Sequence, residues 1–221
     1  MSSSVPASPL AEILDRLTSR AARRSGKRAP YRIPALWQCW EYEGAARTVR
    51  GQLAVDPRHW LAACIERIIL PAQGGRRVAW RSLSQSGGPS RGDAATGRRG
   101  GDWIGGATLY ATLIRATTAW DHNGDRRLTD APGWTETGTF LKTIALLPLL
   151  AKMGVTGLYM LPVTRVSRRF RKGEVGCPYS PKSFYELEPD LHDRLLGPDD
   201  GLVELEFAAF VEAAHSLDMR V

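Results

Sequence analysis

Apolar residues recur at helical spacing in four stretches of the chain. In "SPLAEILDRLTSRAARR", Leu10, Ile13, Leu14 and Leu17 share one face, Ser8 stands where an N-cap belongs and Pro9 takes the first helical position, so the spacing predicts an amphipathic helix. "HWLAACIERIIL" puts Trp60, Leu61, Cys64, Ile65 and Ile68 on a second helical face, and "IPALWQCWEYEG" before it adds Trp37, Trp40 and Tyr42 to an aromatic stripe read as packing. "TFLKTIALLPLLAKMG" predicts a helix with Phe140, Ile144, Leu147 and Leu150 facing inward and a stop at Gly154. "LVELEFAAFVEAAHSLD" predicts another, with Leu205, Phe207, Ala208, Phe210 and Val211 among its apolar positions.

Strand patterns lie between the last two helices and on either side of them. Residues 107–120, "ATLYATLIRATTAW", are β-branched and aromatic and read as a strand or a pair of strand segments. "VTGLYMLPV" is short and almost wholly apolar, as a parallel strand covered on both faces is, and "MRV" at 219–221 opens a third. The order from residue 107 is strand, helix, strand, helix, strand, which argues for a parallel α/β sheet. Both long loops follow strands, the arrangement of a (β/α)₈ barrel, whose site is built from those loops. A doubly wound sheet would place a short glycine-rich loop after its first strand, whereas this one is rich in Asp and Asn. The expected fold class is therefore α/β: an incomplete (β/α)₈ TIM barrel, strands 1–3, after a mainly helical N-terminal region. Three parts are expected: a helical region at 1–70, a Gly/Ser/Arg-rich loop or linker at 71–106, and barrel at 107–221.

Composition narrows the setting. The 221 residues are 43% hydrophobic, ordinary for a folded core, and the longest apolar run, 144–151, is broken by Pro148 and falls short of the roughly 20 residues of a membrane span. The first residues lack a basic segment followed by an apolar one, and Cys39, Cys64 and Cys177 offer neither a disulfide framework nor a zinc site. A cytoplasmic location is expected. The net charge of +7 is uneven: residues 1–107 carry 17 Lys and Arg against 8 Asp and Glu, and residues 108–221 carry 13 against 15. The basic clusters "SRAARRSGKR", "GGRR" and "GRRGG" lack interleaved aromatics, which favours a solvated surface over a nucleic-acid footprint.

Two motifs carry candidate chemistry. In "DHNGD", Asp121, Asn123 and Asp125 alternate so that three hard oxygen side chains can converge, which suits Ca²⁺. It is not an EF-hand, since Arg126 and Pro132 stand where that loop needs Gly and Glu. An Asx-rich turn whose carboxylates satisfy local amides is the alternative. In "GCPYSPKSFYELEP", Tyr179, Phe184 and Tyr185 could stack on the apolar face of a sugar or cover the loop's own small core.

The run "TFLKTIALLPLLAKMGVTGLYMLPV", then "PYSPKSFYELEP", then "EFAAFVEAAHSLDMRV" resembles the start of the catalytic barrel of the α-amylase family, glycoside hydrolase family 13, over residues 107–221. Met153-Gly154-Val155 and Leu161-Pro162 match the family's pattern around its second strand, Tyr179 and Pro189 keep its Tyr-to-Pro distance, and Ala213-Ala214-His215 matches its helix before the third strand. Cys177-Pro178 between Gly176 and Tyr179 departs from it. The resemblance implies Tyr179 as the sugar-stacking tyrosine of the −1 subsite, a structural role for His215, and Asp121, Asn123 and Asp125 as ligands of a structural Ca²⁺. Thr129 stands where the family has a further Asp, with Asp130 one place late. The implied substrate is an α-glucan or α-glucoside, processed by double displacement with retention.

Val221 falls short of the family's first catalytic-region Asp, so no carboxylate present is assigned as nucleophile or acid/base. The expectation is an N-terminal part of a longer enzyme, or a truncated gene product, inactive by itself and poorly stable because residues 156–163 leave an apolar strand edge. A non-catalytic module that binds a partner or nucleic acid through its basic, Trp-rich N-terminal half is the alternative.

Overall fold

The computed structural model describes residues 8–19, 31–44, 47–49, 51–73, 102–130, 135–173 and 176–221. The basic clusters and most of the 71–106 linker lie outside them. Ser8 caps the first helix, its Oγ accepting from the Ala11 amide at 3.2 Å. Helix α1 (Pro9–Thr18) then buries Leu10, Ile13 and Leu17.

Between residues 31 and 55 the structure departs from the mainly helical expectation. Strands β1 (Tyr31–Pro34), β2 (Arg47–Val49) and β3 (Gln52–Val55) form an antiparallel sheet in the order β1-β3-β2. Tyr31 pairs with Val55 and Thr48 with Leu53. Pro30 and Pro34 bracket three residues and bar a helix there. Tyr31 and Ile33 are buried in alternation with Arg32, a period of two. The aromatic stripe expected of a helix instead leaves β1 through a 3₁₀ turn, Ala35–Trp37, with Trp37, Trp40 and Tyr42 buried. Helix α2 (Pro57–Cys64) begins at Asp56, whose carboxylate accepts from the His59 amide at 3.0 Å. It runs through a π-helical stretch, Ile65–Ile69, into a last turn, Leu70–Gln73.

In the second half β4 (Leu109–Thr112) stops early, and the chain takes one helical turn, α3 (Ile114–Thr117), where a strand segment was one reading. That turn carries Arg115 inward beneath the loops. Helix α4 (Phe140–Lys152) is capped by Thr139, which accepts from the Lys142 amide at 3.1 Å. It is followed by Gly154 at φ 84, a backbone conformation that side chains resist. Strand β5 (Gly157–Met160) and helix α5 (Leu202–Ser216) complete the order. Strand β4 pairs with β5 in parallel from Leu109↔Gly157 to Thr112↔Met160. Arg220 then makes a parallel bridge to Gly157, with the Leu158 amide donating to its carbonyl at 2.8 Å. Three consecutive strand segments thus lie side by side, each pair joined through a helix.

One buried cluster runs from Leu10 to Met219 and includes both halves of the chain. Helix α4 explains why. Beyond the expected Phe140, Ile144, Leu147 and Leu150, it also buries Leu141, Lys142, Thr143, Ala145 and Leu146. Helix α5 packs on one side of it, while α2 and the Ala35–Trp37 turn pack on another. No helix among the described residues is long and apolar enough to cross a membrane.

Glu212 fastens the N-terminal helix to α5. Its carboxylate accepts from the Ser8 hydroxyl at 2.6 Å, the Leu10 amide at 2.9 Å and the Gln73 side-chain amide at 2.9 Å. A negative charge at a helix N-terminus also meets the positive end of the helix dipole. Glu212→Ala should therefore lower unfolding stability by about 2 kcal/mol, because three donors lose a charged acceptor. The shift in urea midpoint measures it, and an unchanged midpoint would show that the clamp contributes nothing.

Candidate functional site

The loops that leave the C-terminal ends of β4 and β5 are knitted together by charge. Arg115, almost wholly buried, places Nη1 2.6 Å from Asp190 Oδ2 and Nη2 3.8 Å from Asp130 Oδ2. Arg168 and Arg171 reach the same Asp190 carboxylate at 3.1 and 3.0 Å. Burial works to raise the Asp190 carboxyl, but the guanidinium groups, Arg115 foremost, outweigh it and hold it below the ordinary value. Arg194 crosses back, its Nη1 donating to the Asp130 carbonyl at 2.8 Å and its amide to Thr135 Oγ1 at 3.1 Å.

The acidic loop after β4 folds on its own amides. Asp121 Oδ1 accepts from Gly124 and Asp125 at 2.5 and 3.1 Å, and Oδ2 accepts from Arg126 at 2.8 Å. Asp125 Oδ1 accepts from the Arg127 amide at 2.8 Å. Asn123 turns its oxygen to the Asp125 amide at 2.7 Å and its Nδ2 to Asp125 Oδ2 at 3.2 Å. Gly124 sits at φ 84, a left-handed backbone conformation that disfavours a side chain, with the movable Arg32 guanidinium 2.0 Å from where a Cβ would lie.

Glu136, fully buried, joins this loop: its two oxygens accept from the Asn123 amide at 3.1 Å and the Thr129 amide at 2.8 Å. Carboxylate oxygens of Asp121, Asp125 and Glu136 come within 4.8 Å of one another. Asp130 turns elsewhere, accepting from the Glu136 amide at 3.1 Å and the Thr137 hydroxyl at 3.1 Å. The cluster is a hard-oxygen donor set of the kind Ca²⁺ takes. Asp121 Oδ1 and Glu136 Oε2 each accept two hydrogen bonds, whereas Asp121 Oδ2, Asp125 Oδ1 and Glu136 Oε1 each accept one and keep a lone pair that a cation could take.

Beneath the loop lies a buried basic pair. His122 stacks on Tyr31 with ring centroids 3.6 Å apart and bonds through Nδ1 to the Arg32 carbonyl at 2.6 Å. Its Nε2 lies 3.2 Å from Lys142 Nζ. Burial first, then the neighbouring ammonium, pushes His122 down to about 2. The neutral ring therefore donates from Nδ1 and accepts at Nε2. Burial also lowers Lys142 to about 8, against the raising fields of Asp193, Asp130 and Glu136. Lys142 donates as well to the Thr135 carbonyl at 2.8 Å.

A second buried pair joins the loop after β5 to α5. His192 Nδ1 is 2.5 Å from Glu206 Oε1, and its Nε2 donates to the Gly197 carbonyl at 2.8 Å. Burial pushes Glu206 up to about 7 against the His192 hydrogen bond. Burial would lower His192, but the bond to Glu206 and its charge prevail and raise it.

Tyr179 lies in the loop after β5, which closes on itself through antiparallel bridges Thr164↔Leu187 and Val166↔Pro181. Its ring is 66% exposed, and Phe184 and Tyr185 are 74% and 98% exposed, so these rings do not cover a small core of the loop. Neighbouring Pro178 lines an apolar cavity with Leu113, Ile114, Pro162, Val163 and Leu191 at the strand ends. His215 is exposed at the other end of the strands, by Trp103 and Arg220, and takes no part in this arrangement.

Sequence reasoning brought Asp121, Asn123 and Asp125 to one loop but missed Glu136, Arg115, Asp190, His192 and Glu206. Glu206 had a signal, since it interrupts the helical core stripe of Val203, Phe210 and Ala213, where a charge requires a buried partner. The others lie in loops or in single helical turns too short to show a periodicity.

No family model matches the chain. Over 125 residues it is 30% identical to an alpha-1,4-glucan:maltose-1-phosphate maltosyltransferase of Mycolicibacterium smegmatis, a match that takes in 52% of this chain and 16% of that relative. The chain thus spans a small part of the relative, and the likeness is a distant, partial one to an α-glucan-processing enzyme.

His192 and Glu206 give the fold a pH dependence. Both folded values lie above the unfolded ones, so the bound proton stabilises the fold at low pH and its contribution is lost as pH rises. The Glu206 part fades between the ordinary 4.5 and about 7, and the His192 part from 6.5 upward. The melting temperature should fall between about pH 5 and about pH 8, and Glu206→Gln should flatten that slope. An identical slope in the variant would assign the dependence elsewhere.

Proposed function

We propose that residues 107–221 form the opening β/α units of a (β/α)₈ barrel that acts on α-1,4-glucans or related α-glucosides by hydrolysis or glycosyl transfer with retention. The observation that carries this reading is the gathering of both long loops at the C-terminal ends of adjacent parallel strands, with Tyr179 held out beside them. The partial likeness to the maltosyltransferase supports the substrate class. The strand faces support the barrel. Leu109, Ala111 and Tyr159 are exposed on one face of β4 and β5, whereas Thr112 and Leu158 are buried. A barrel interior is the usual cover for such a face.

In a retaining mechanism one carboxylate attacks the anomeric carbon while a second protonates the departing oxygen. The buried carboxylates of this chain have other occupations: Asp190 holds three guanidinium groups, Glu206 shares a proton with His192, and Glu136 ties down the acidic loop. None is assigned to catalysis. The part given to this chain is substrate positioning, with Tyr179 stacking on the sugar at the −1 subsite. Maltoheptaose titrated against the protein and followed by tyrosine and tryptophan fluorescence should bind weakly. Tyr179→Ala should weaken it by roughly tenfold, the loss of one stacking contact of about 1 kcal/mol or slightly more. Equal affinity in the variant would remove Tyr179 from the subsite.

Asp121 and Asp125, with Asn123 and the newly placed Glu136, would hold Ca²⁺ in this reading, and the ion would supply structural charge rather than chemistry. Calcium at a hundredfold excess over its dissociation constant should stabilise the fold by about 2.7 kcal/mol. A calcium-dependent rise in melting temperature, abolished in Asp125→Asn, would bear this out. No rise would leave the loop as an Asx turn satisfied by its own amides.

A further inference from the structure

We propose that the loop after β5 is a binding surface for an α-glucan that carries anionic groups, phosphate monoesters being the chemistry recognised. This rests on the α-glucan reading above and goes beyond it by naming charge on the polymer. Residues 165–182 hold Arg165, Arg168, Arg169, Arg171, Lys172 and Lys182 against Glu174. Most of that charge is spent inside the loop. Arg165 pairs with Glu186 at 2.5 Å, Arg168 and Arg171 pair with Asp190, and Lys182 lies in the field of Glu186. Arg169 and Lys172 are exposed and face no carboxylate among the described residues.

Exposed rings accompany these cations on the same loop. Phe170 is held at φ 58, a conformation a bulky residue resists, and yet its ring is 88% exposed, so burial does not offset the strain. Arg169 lies 5.1 Å over that ring. Tyr185 and Phe184 add two more exposed rings where the loop widens, the Lys182 and Ser183 amides both turning to the Arg165 carbonyl. Aromatic faces stack on the apolar faces of pyranose rings, and guanidinium and ammonium groups pair with phosphate. A single-stranded nucleic acid carries a charge at each nucleotide and calls for a groove of unpaired cations. Arg169 and Lys172, which face no carboxylate among the described residues, on a loop with exposed rings suit a mostly neutral polymer with sparse phosphates.

The test uses the whole 221-residue chain and amylopectin that carries phosphate monoesters, beside the same polymer after phosphatase treatment, in affinity electrophoresis. Tighter binding to the phosphorylated form, on the order of fivefold at low salt, is expected. Arg169→Gln with Lys172→Gln should erase that difference and keep the residual binding. Phe170→Asn, which tolerates the left-handed backbone, with Tyr185→Ala should weaken binding to both forms; all four positions are exposed, and circular dichroism checks the fold. Equal binding to both forms overturns this inference and leaves the α-glucan reading standing. Binding to neither polymer overturns both, whether or not oligo-deoxythymidine is retained instead.

Discussion

Helix α4 has almost no face left for water, and the rest of the molecule is arranged around that constraint. Its buried positions, Lys142 and Thr143 among them, cover the whole circumference from Phe140 to Leu147, so a sheet and one neighbouring helix cannot bury it alone. The N-terminal half supplies the missing cover through α2 and the turn at Trp37, which is why one cluster of buried side chains runs through both halves. Docking there brings β1 against the acidic loop, where the Arg32 amide donates to the His122 carbonyl at 3.0 Å and Tyr31 stacks on the His122 ring. The N-terminal segment is therefore part of the wall behind the candidate site.

Charge inside this wall is tolerated because each group is answered. Lys142, wholly enclosed, has a carbonyl and a neutral imidazole as acceptors and three carboxylates in its field. Arg115 is answered by Asp190 and Glu206 by His192, each joining elements far apart in sequence. Breaking any of these pairs strands a buried charge, a larger penalty than the pair's own net worth. The charged residues thereby fix how the two loops sit over the strand ends, and Tyr179 and Phe170 on them stay exposed.

Periodicity made much of this legible. Helices at 9–18, 140–152 and 202–216, the strand at 157–160 and the stop at Gly154 follow from apolar spacing, caps and a glycine, all of them local physics. The gathering of Asp121 and Asp125 was equally local, since alternate residues of a tight turn converge. Where the reading went astray, in residues 31–55, aromatic spacing suggested a helix but the prolines and a two-residue alternation decided for strands.

What the sequence by itself determined is therefore the set of elements and the loop that carries the acidic residues, because both depend on neighbours within a few positions. Only the tertiary structure decided that Glu136 completes the acidic cluster, that Arg115 finds Asp190 and that Glu206 finds His192. Those partners are separated by up to 75 residues, and hydrogen-bond geometry in a buried site depends on how packed elements meet. It leaves no repeat in the chain from which it could be read.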